Sequence, residues 1–443
     1  MSSAAPVDLN PPGDVRWISE RLESAGFAAW AVGGAVRDAL AGGKPVDWDM
    51  ATPARPAEVR RIFPRTVPIG IEYGTMGVLA RSGKMYEVTT FRRDVEAFGR
   101  KARVVFAATL EEDLQRRDFT INAVAWRPRT GELSDPHGGV EDLQRGVLRT
   151  VGEPEERFTE DRLRVLRALR FAGRFGLRIE DETWAAIERS AGKLDHLSAE
   201  RIREELWKVL TGREPPSRSL ALYAETGVLA ALYPELERCQ RAILPDEGSV
   251  WSQTLRAVDV ISPTHPLVRL AALLHAVGLE GDQGSSIVPG KAAGIALHTL
   301  RRLRFSNADT DRVVHLIAQQ APLPPANAPA ADLRGWLRRV GKDYVNDLFR
   351  LLFAICPAGG IRGMERTELL AIYRRARREI GADVPLTVNE LAIGGQELRR
   401  LGIAPGPVYG EILNRLLDRV IEEPELNEPT RLLRIVREEV RPG

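Results

Sequence analysis

Four groups of residues in the first part of the chain have the types and spacing for chemistry on phosphates. Asp47-Trp48-Asp49 lies in an apolar segment. On a strand, positions i and i+2 face one way, so both carboxylates project together while Trp48 packs behind them. Like charges this close are costly unless a cation neutralises them, and hard oxygen donors suit Mg²⁺ bridging a nucleotide triphosphate. The plainer reading is two solvated loop acids. Gly33-Gly34, followed by Arg37-Asp38, stands where an apolar run gives way to a helical pattern. Glycines there either bring backbone N–H groups close to a phosphate or simply make a turn. Arg116-Arg117-Asp118, continuing to Asn122, offers planar guanidinium forks to a triphosphate and its ribose, or a surface ion pair.

The fourth group is Asp161 with Arg164, spaced i and i+3 on a helical stretch that also carries Arg167, Arg170 and Arg174. A helical salt bridge accounts for the spacing. A sharper account rests on base chemistry. Cytosine and adenine both present an exocyclic amino donor beside a ring-nitrogen acceptor, whereas guanine and uracil present the reverse. A carboxylate and a guanidinium side by side therefore fit CTP and ATP, and leave polar groups unpaired against GTP and UTP.

Positioning these groups requires a mixed head. Short β-type runs at 28–32, 46–50, 77–80, 86–91 and 123–126 alternate with helical patterns such as 56–63. Ser82-Gly83 and Thr130-Gly131 read as hairpin turns. The first dozen residues read as a loose leader. Beyond about residue 155 the pattern is helical, at 163–175, 182–191, 199–210 and 217–230, with no strand expected. The fold class is α+β: an α/β head over 14–150, then an all-helical neck (151–215), body (216–345) and tail (346–443).

Composition narrows the class without choosing a function. The 443 residues hold 63 Lys+Arg against 61 Asp+Glu, a net charge of +2 that by itself predicts no partner. No apolar run approaches a membrane span and no secretory pattern opens the chain, so no membrane partner is expected. Cys239 and Cys356 are too far apart in sequence for a CxxC site, and a reducing cytoplasm is the expected location. Nothing in the sequence sets an oligomeric state.

Taken in order, GGAVRD, DWD, EVTTFRRD at 87–94, RRDFTINA and RFTEDRLRVLRALRFAGRFG resemble the bacterial class II tRNA nucleotidyltransferases, with their poly(A) polymerase relatives. The resemblance is dense over 28–210. It implies a nucleotidyltransferase that adds CCA to the tRNA 3′ end from CTP and ATP, by two-metal in-line transfer with release of pyrophosphate. Asp47 and Asp49 match its catalytic Mg²⁺-binding pair. Gly33, Gly34, Arg37 and Asp38 match its phosphate-side motif, and Arg117, Asp118 and Asn122 its triphosphate and ribose segment. Asp161 and Arg164 match its amino-acid template for C and A, with Arg167 and Arg170 on the same helix toward phosphate or neighbouring acids.

Two departures stand out. Where family members carry a loop with a tyrosine, an acid and Arg-Arg-Pro, this chain has a different sequence at 95–102, which leaves A-only or CC-only addition open. In the body, Trp251–Leu255 and Leu273–Gly278 resemble a metal-dependent phosphohydrolase motif in which Gln253 and Ala276 replace the His and Asp that a metal needs. A degenerate phosphohydrolase region is expected there, with His275 structural. Arg374–Arg378 is either a tRNA contact or a solvated helix face.

Overall fold

A computed structural model describes residues 7–96, 103–244, 248–280, 286–356 and 364–440. Its contacts divide the chain into two units, Met1–Tyr233 and Pro234–Gly443.

In the first unit, helix α1 (Gly13–Ser24) buries Val15, Ile18 and Leu22, one stripe at helical spacing. Strand β1 (Trp30–Val32) turns at Gly33 into α2 (Gly34–Leu40). There follow β2 (Asp49–Thr52), α3 (Pro56–Ile62), β3 (Thr66–Gly70), β4 (Thr75–Leu79) and β5 (Met85–Thr90). A hairpin, β6 (Arg92–Glu96) with β7 (Arg103–Phe106), leads through α4 (Leu110–Gln115) to β8 (Ala125–Trp126) and β9 (Leu133–Ser134). The sheet runs β3-β4-β5-β2-β1-β8-β9, antiparallel except for the parallel pair β2/β5.

The sheet's two faces are treated differently. On one, Ala31, Met50, Met76, Val78, Tyr86 and Val88 pack with α1 and α3 residues into a continuous core. On the other, Leu110, Leu114, Phe91 and Val151 cover only Trp30, Val32, Ala51 and Ala125. The β3–β5 part of that second face carries the exposed side chains of Val67, Ile69 and Met85.

The unit continues with α5 (Gly139–Arg145), β10 (Val147–Leu148), α6 (Pro154–Glu160), α7 (Leu163–Phe175), β11 (Arg178–Ile179), α8 (Asp181–Ala191), α9 (Ala199–Thr211), α10 (Pro216–Glu225) and α11 (Val228–Leu232). Helix α7 meets α10 at Gly173, where an added Cβ would lie 2.2 Å from Ser219 Oγ, so only glycine permits the approach. The second unit is helical from Pro234–Arg241 to Pro429–Val440, with Leu416, Leu417, Val420 and Leu432 in one of its apolar clusters.

Several expectations need correction. Strand β2 begins at Asp49, so Asp47 precedes it. Its partner β1 ends at Val32, opposite Asp49, because the chain turns at Gly33, and nothing remains there to pair with Asp47. Residues 7–12 are tied down: Val7 N–H donates to the Gly131 carbonyl at 3.0 Å, Trp126 Nε1–H donates to the Val7 carbonyl at 2.7 Å, and Leu9 packs on the core. The helical pattern at 217–230 breaks at Gly227, whose φ of 77° ends α10 and starts α11. Strands do occur past residue 155. Arg178–Ile179 pairs in parallel with Val147–Leu148, Ile243–Leu244 pairs with Gly248–Ser249, and Leu279–Glu280 with Ser286–Ile287. Each has two residues, too few to show an alternating pattern in sequence.

Candidate active site

The carboxylates sit at the edge of the covered part of the second face. Trp48 is buried in the core beside Trp126, ring centroids 6.0 Å apart, which aims its neighbours Asp47 and Asp49 outward. Register Met50↔Val88 sets Asp49 beside Glu87 across the parallel pair, both facing out while Met50 and Val88 point in. The pKa of Asp49 is pushed up to about 6 by loss of water around it, then by Glu87 and Asp47, with Arg117 pulling the other way. The group reaches open solvent on one side, so repulsion from its two acidic neighbours is the part of this shift that a bound cation relieves. Asp47 is 91% exposed, with Lys84 Nζ at 3.7 Å. The donor set is all hard carboxylate oxygen, which fits a divalent cation of the Mg²⁺ type. Among the described residues no three His, Cys, Asp or Glu side chains already converge as a closed metal cage.

Next to these acids lies a cleft of about 590 Å³. It takes in every expected site residue except Asp38, Asp47 and Arg170, and brings together segments more than a hundred residues apart. Gly33 has φ 72°, and a Cβ on it would fall 2.9 Å from Arg117 Nη1, so the glycine supplies both the turn and the space for that arginine. Arg117 Nη2 holds Asp113 at 3.1 Å, while its Nε–H, buried, has no acceptor among the described residues. Asp113 is itself buried and also takes Arg116 at 2.9 Å. Burial raises its pKa, but the two guanidinium groups outweigh burial and hold it low.

Asp118 is saturated. Its Oδ1 accepts from the Phe119 N–H and from Asn122 Nδ2, both at 2.9 Å, and its Oδ2 accepts from Arg167 Nε at 2.7 Å. Burial opposes ionisation here, yet Arg167 and those donors keep the carboxyl below its usual range. Arg37 is buried too. It donates to Asp38 at 2.6 Å and to Asn122 Oδ1, and its guanidinium lies 4.9 and 4.6 Å from the Phe171 and Phe175 ring centroids.

Asp161 and Arg164 both line the cleft, but they do not share a helix face. Asp161 has extended dihedrals (φ −149°, ψ 104°) at the break between α6 and α7, while Arg164 belongs to the first turn of α7. The chain breaks there because the Asp161 carboxylate accepts the Leu163 N–H at 3.1 Å, starting a new helix. Asp161 Oδ2 is held by Arg201 Nη2 at 2.7 Å. Arg164 is fixed by Glu160 at 2.5 Å and by the Arg116 carbonyl at 3.2 Å. Arg170 turns away from this cleft to a buried pair with Glu205 at 2.6 Å, and Arg174 reaches Asp38 at 3.3 Å.

Glu87, Asp113 and Arg201 were not singled out as site residues by type and spacing. Glu87 had a signal, since it occupies the outward positions of a recognisable strand. Asp113 and Arg201 had none, because their partners are set by tertiary packing.

Elsewhere, residues 97–102 of the altered loop lie outside the described residues. In the second unit His275 is buried with Nδ1 2.7 Å from the Ala272 carbonyl oxygen. Within the basic run 374–378, Arg375 donates to the carbonyls of Ala326 and Ala328 and Arg377 to Asn346, all inside the same unit.

Two family models match: "Poly A polymerase head domain" over residues 29–149 and "Probable RNA and SrmB- binding site of polymerase A" over 176–240. A CCA-adding enzyme of Lacticaseibacillus paracasei is 35% identical over 428 residues, 95% of each chain. One from Anoxybacillus flavithermus is 49% identical over 221 residues, a match covering 49% of this chain and 55% of that one. Among solved structures, the Bacillus stearothermophilus CCA-adding enzyme in complex with CTP superposes with a TM-score of 0.74 at 31% identity, over 96% of both chains.

Proposed function

This chain belongs to the family of CCA-adding enzymes, and from that premise we propose that it adds C, C and A in turn to the 3′ end of tRNA, from CTP and ATP with release of pyrophosphate, in the cytoplasm. The observation that carries this reading is the convergence on one cleft of Asp49, Arg117, Asp118, Asp161 and Arg164. No helix among the described residues is long and apolar enough to cross a membrane.

Asp47 and Asp49, with Glu87 beside them, are the residues that would hold Mg²⁺. When bound, the metal supplies Lewis-acid activation of the attacking 3′ hydroxyl and charge neutralisation at the reacting phosphate. The protein's part is to bring the reacting atoms together and to stabilise charge. Arg117, held by Asp113 and lining the cleft, serves the triphosphate. Asp118 acts at one remove, fixing Arg167 and Asn122 at the wall of the cleft. Asp161 keeps acceptor capacity beyond its bonds to Arg201 and Leu163, and Arg164 keeps donors beyond Glu160 and Arg116. The carboxylate would take the amino group of cytosine or adenine and the guanidinium its ring nitrogen. Each is held in place before the nucleotide arrives. We assign 14–150 to the catalytic head, 151–215 to the neck bearing the base template, 216–345 to a degenerate phosphohydrolase-like body and 346–443 to a tail that contacts tRNA.

The test is a tRNA transcript ending at the discriminator base, incubated with purified protein, Mg²⁺ and CTP, ATP or both. Two additions with CTP and three with both are expected. One A added only to a transcript already ending in CC, or a stop after two C residues, would restrict the product. No incorporation would overturn the catalytic reading.

A further inference from the structure

The sheet face bearing Asp49 continues past the carboxylates. Register places Val67 opposite Gly77 and Gly77 opposite Glu87, with Glu87 beside Asp49, so these four form a row across β3, β4, β5 and β2. Each step in the row is one strand spacing, about 4.8 Å. Beyond Glu87 the polarity ends: Val67, Ile69 and Met85 are 48%, 43% and 48% exposed. A Cβ on Gly77 would lie 2.7 Å from Ile69 Cδ1 and 2.8 Å from Met85 Sδ. The glycine lets these side chains close over it, and Leu79, paired with Met85, extends the same surface. The result is a level apolar shelf, open to solvent and continuous with the carboxylates. Apolar side chains grouped in this way on an exposed face mark a contact surface.

We propose that this shelf seats the unpaired base at the 3′ end of the acceptor RNA. The inference rests on the nucleotide-transfer reading above. If the RNA's 3′ hydroxyl is delivered to Asp47 and Asp49, the base of that same terminal nucleotide comes within about two strand spacings of them, which is the distance to Gly77. The base of the incoming nucleotide is assigned to Asp161 and Arg164, across the cleft. The two bases face different demands. The incoming one must be selected, and it meets a carboxylate and a guanidinium. The terminal one changes after every addition and must be accepted whatever it is. Every base has an apolar π-face, and a shelf without donors or acceptors supports that face without reading its edge.

The experiment compares wild-type enzyme with a variant carrying Ile69→Thr and Met85→Gln, both exposed positions, under steady-state conditions with CTP. Melting curves check that the variant is folded. We expect kcat/KM for RNA to fall about tenfold, the order of one lost base stack, through KM for RNA and with KM for CTP unchanged. On RNA whose terminal nucleotide is abasic, wild type and variant should be equal. Rates within twofold on intact RNA would overturn the proposal. So would an equal loss on the abasic end, or a loss that follows dissociation of a wild-type dimer in gel filtration. Failure of the wild type to incorporate any nucleotide would instead sink the reading on which the proposal rests.

Discussion

Both units pair inward-turned arginines with carboxylates, but in the first unit most of these pairs gather around one cleft. In the first, Arg37, Arg117, Arg167, Arg170 and Arg201 are each tied to a carboxylate: Asp38, Asp113, Asp118, Glu205 and Asp161. In the second, Arg334 meets Glu379 at 2.8 Å and Arg312 meets Asp347 at 2.5 Å, while His275, His315 and Arg375 meet main-chain oxygens. A carbonyl partner satisfies a buried donor and stitches one helix to the next chain segment. A carboxylate does more. It balances the charge and fixes the direction of the guanidinium fork, so donors stand ready around an open volume. Basic residues and ion pairs occur in both units; their gathering around one open cleft is what marks the site.

The comparison breaks most decisively on catalysis. Asp49→Ala should lower the rate of nucleotide incorporation by about 10²–10³-fold. His275→Ala should leave the rate per folded molecule unchanged. Equal losses in single-turnover assays would erase the distinction between the units.

A smaller effect is expected on stability. Glu205→Ala strands Arg170 in a buried setting and should cost about 3–5 kcal/mol in denaturant unfolding, the usual penalty for removing one partner of a buried pair. Arg375→Met removes bonds to neutral carbonyls and should cost about 1 kcal/mol. Similar values for the two would mean that the carboxylate pairs carry no special weight.

The subtlest test uses pH. Asp113, Asp118 and Glu205 are all held below the ordinary carboxyl range, by Arg116 and Arg117, by Arg167, and by Arg170 with Lys208, each against the opposing pull of burial. A carboxyl with a depressed folded-state pKa stabilises the fold above its unfolded value of about 4, and that stability is lost as pH falls through the folded value. In the second unit Glu390 and Glu397 are also held low, but at sites where solvent screens the interaction. Hydrogen exchange between about pH 4 and pH 2 should therefore show protection falling first in the first unit. Simultaneous loss in both would contradict this order.

What the sequence disclosed depended on whether a group acts through local spacing or through long-range register. Trp48 and Asp49 were legible as an inward and an outward residue because a strand alternates. The bounds of α7 were legible because its apolar stripe is regular and Gly176 ends it at φ 65°. Glu87 reaches Asp49 only through a parallel pairing of β2 with β5, which no spacing within either strand reveals. Asp161 looked helical with Arg164 because the run around them reads as one helix. The backbone turns extended at Asp161, whose side chain accepts the N–H of Leu163, the first residue of the next helix. Arg201 holds Asp161 from forty residues away, and nothing in its surroundings in the sequence distinguishes it from the other arginines of the helical region.

Helix α7 has a consequence for how this chain can change over generations. Arg164, Arg167, Arg170 and Arg174 hang from one rigid rod, and each meets a different anchor: Glu160, Asp118, Glu205 and Asp38. A point substitution undoes one of these contacts. Inserting or deleting a single residue inside the first turn of α7, between Leu163 and Arg164, would turn the remainder of the rod by about 100° and slide it by about 1.5 Å, undoing all four together. Substitutions along this stretch act on one contact at a time, whereas a change in its length acts on all four at once.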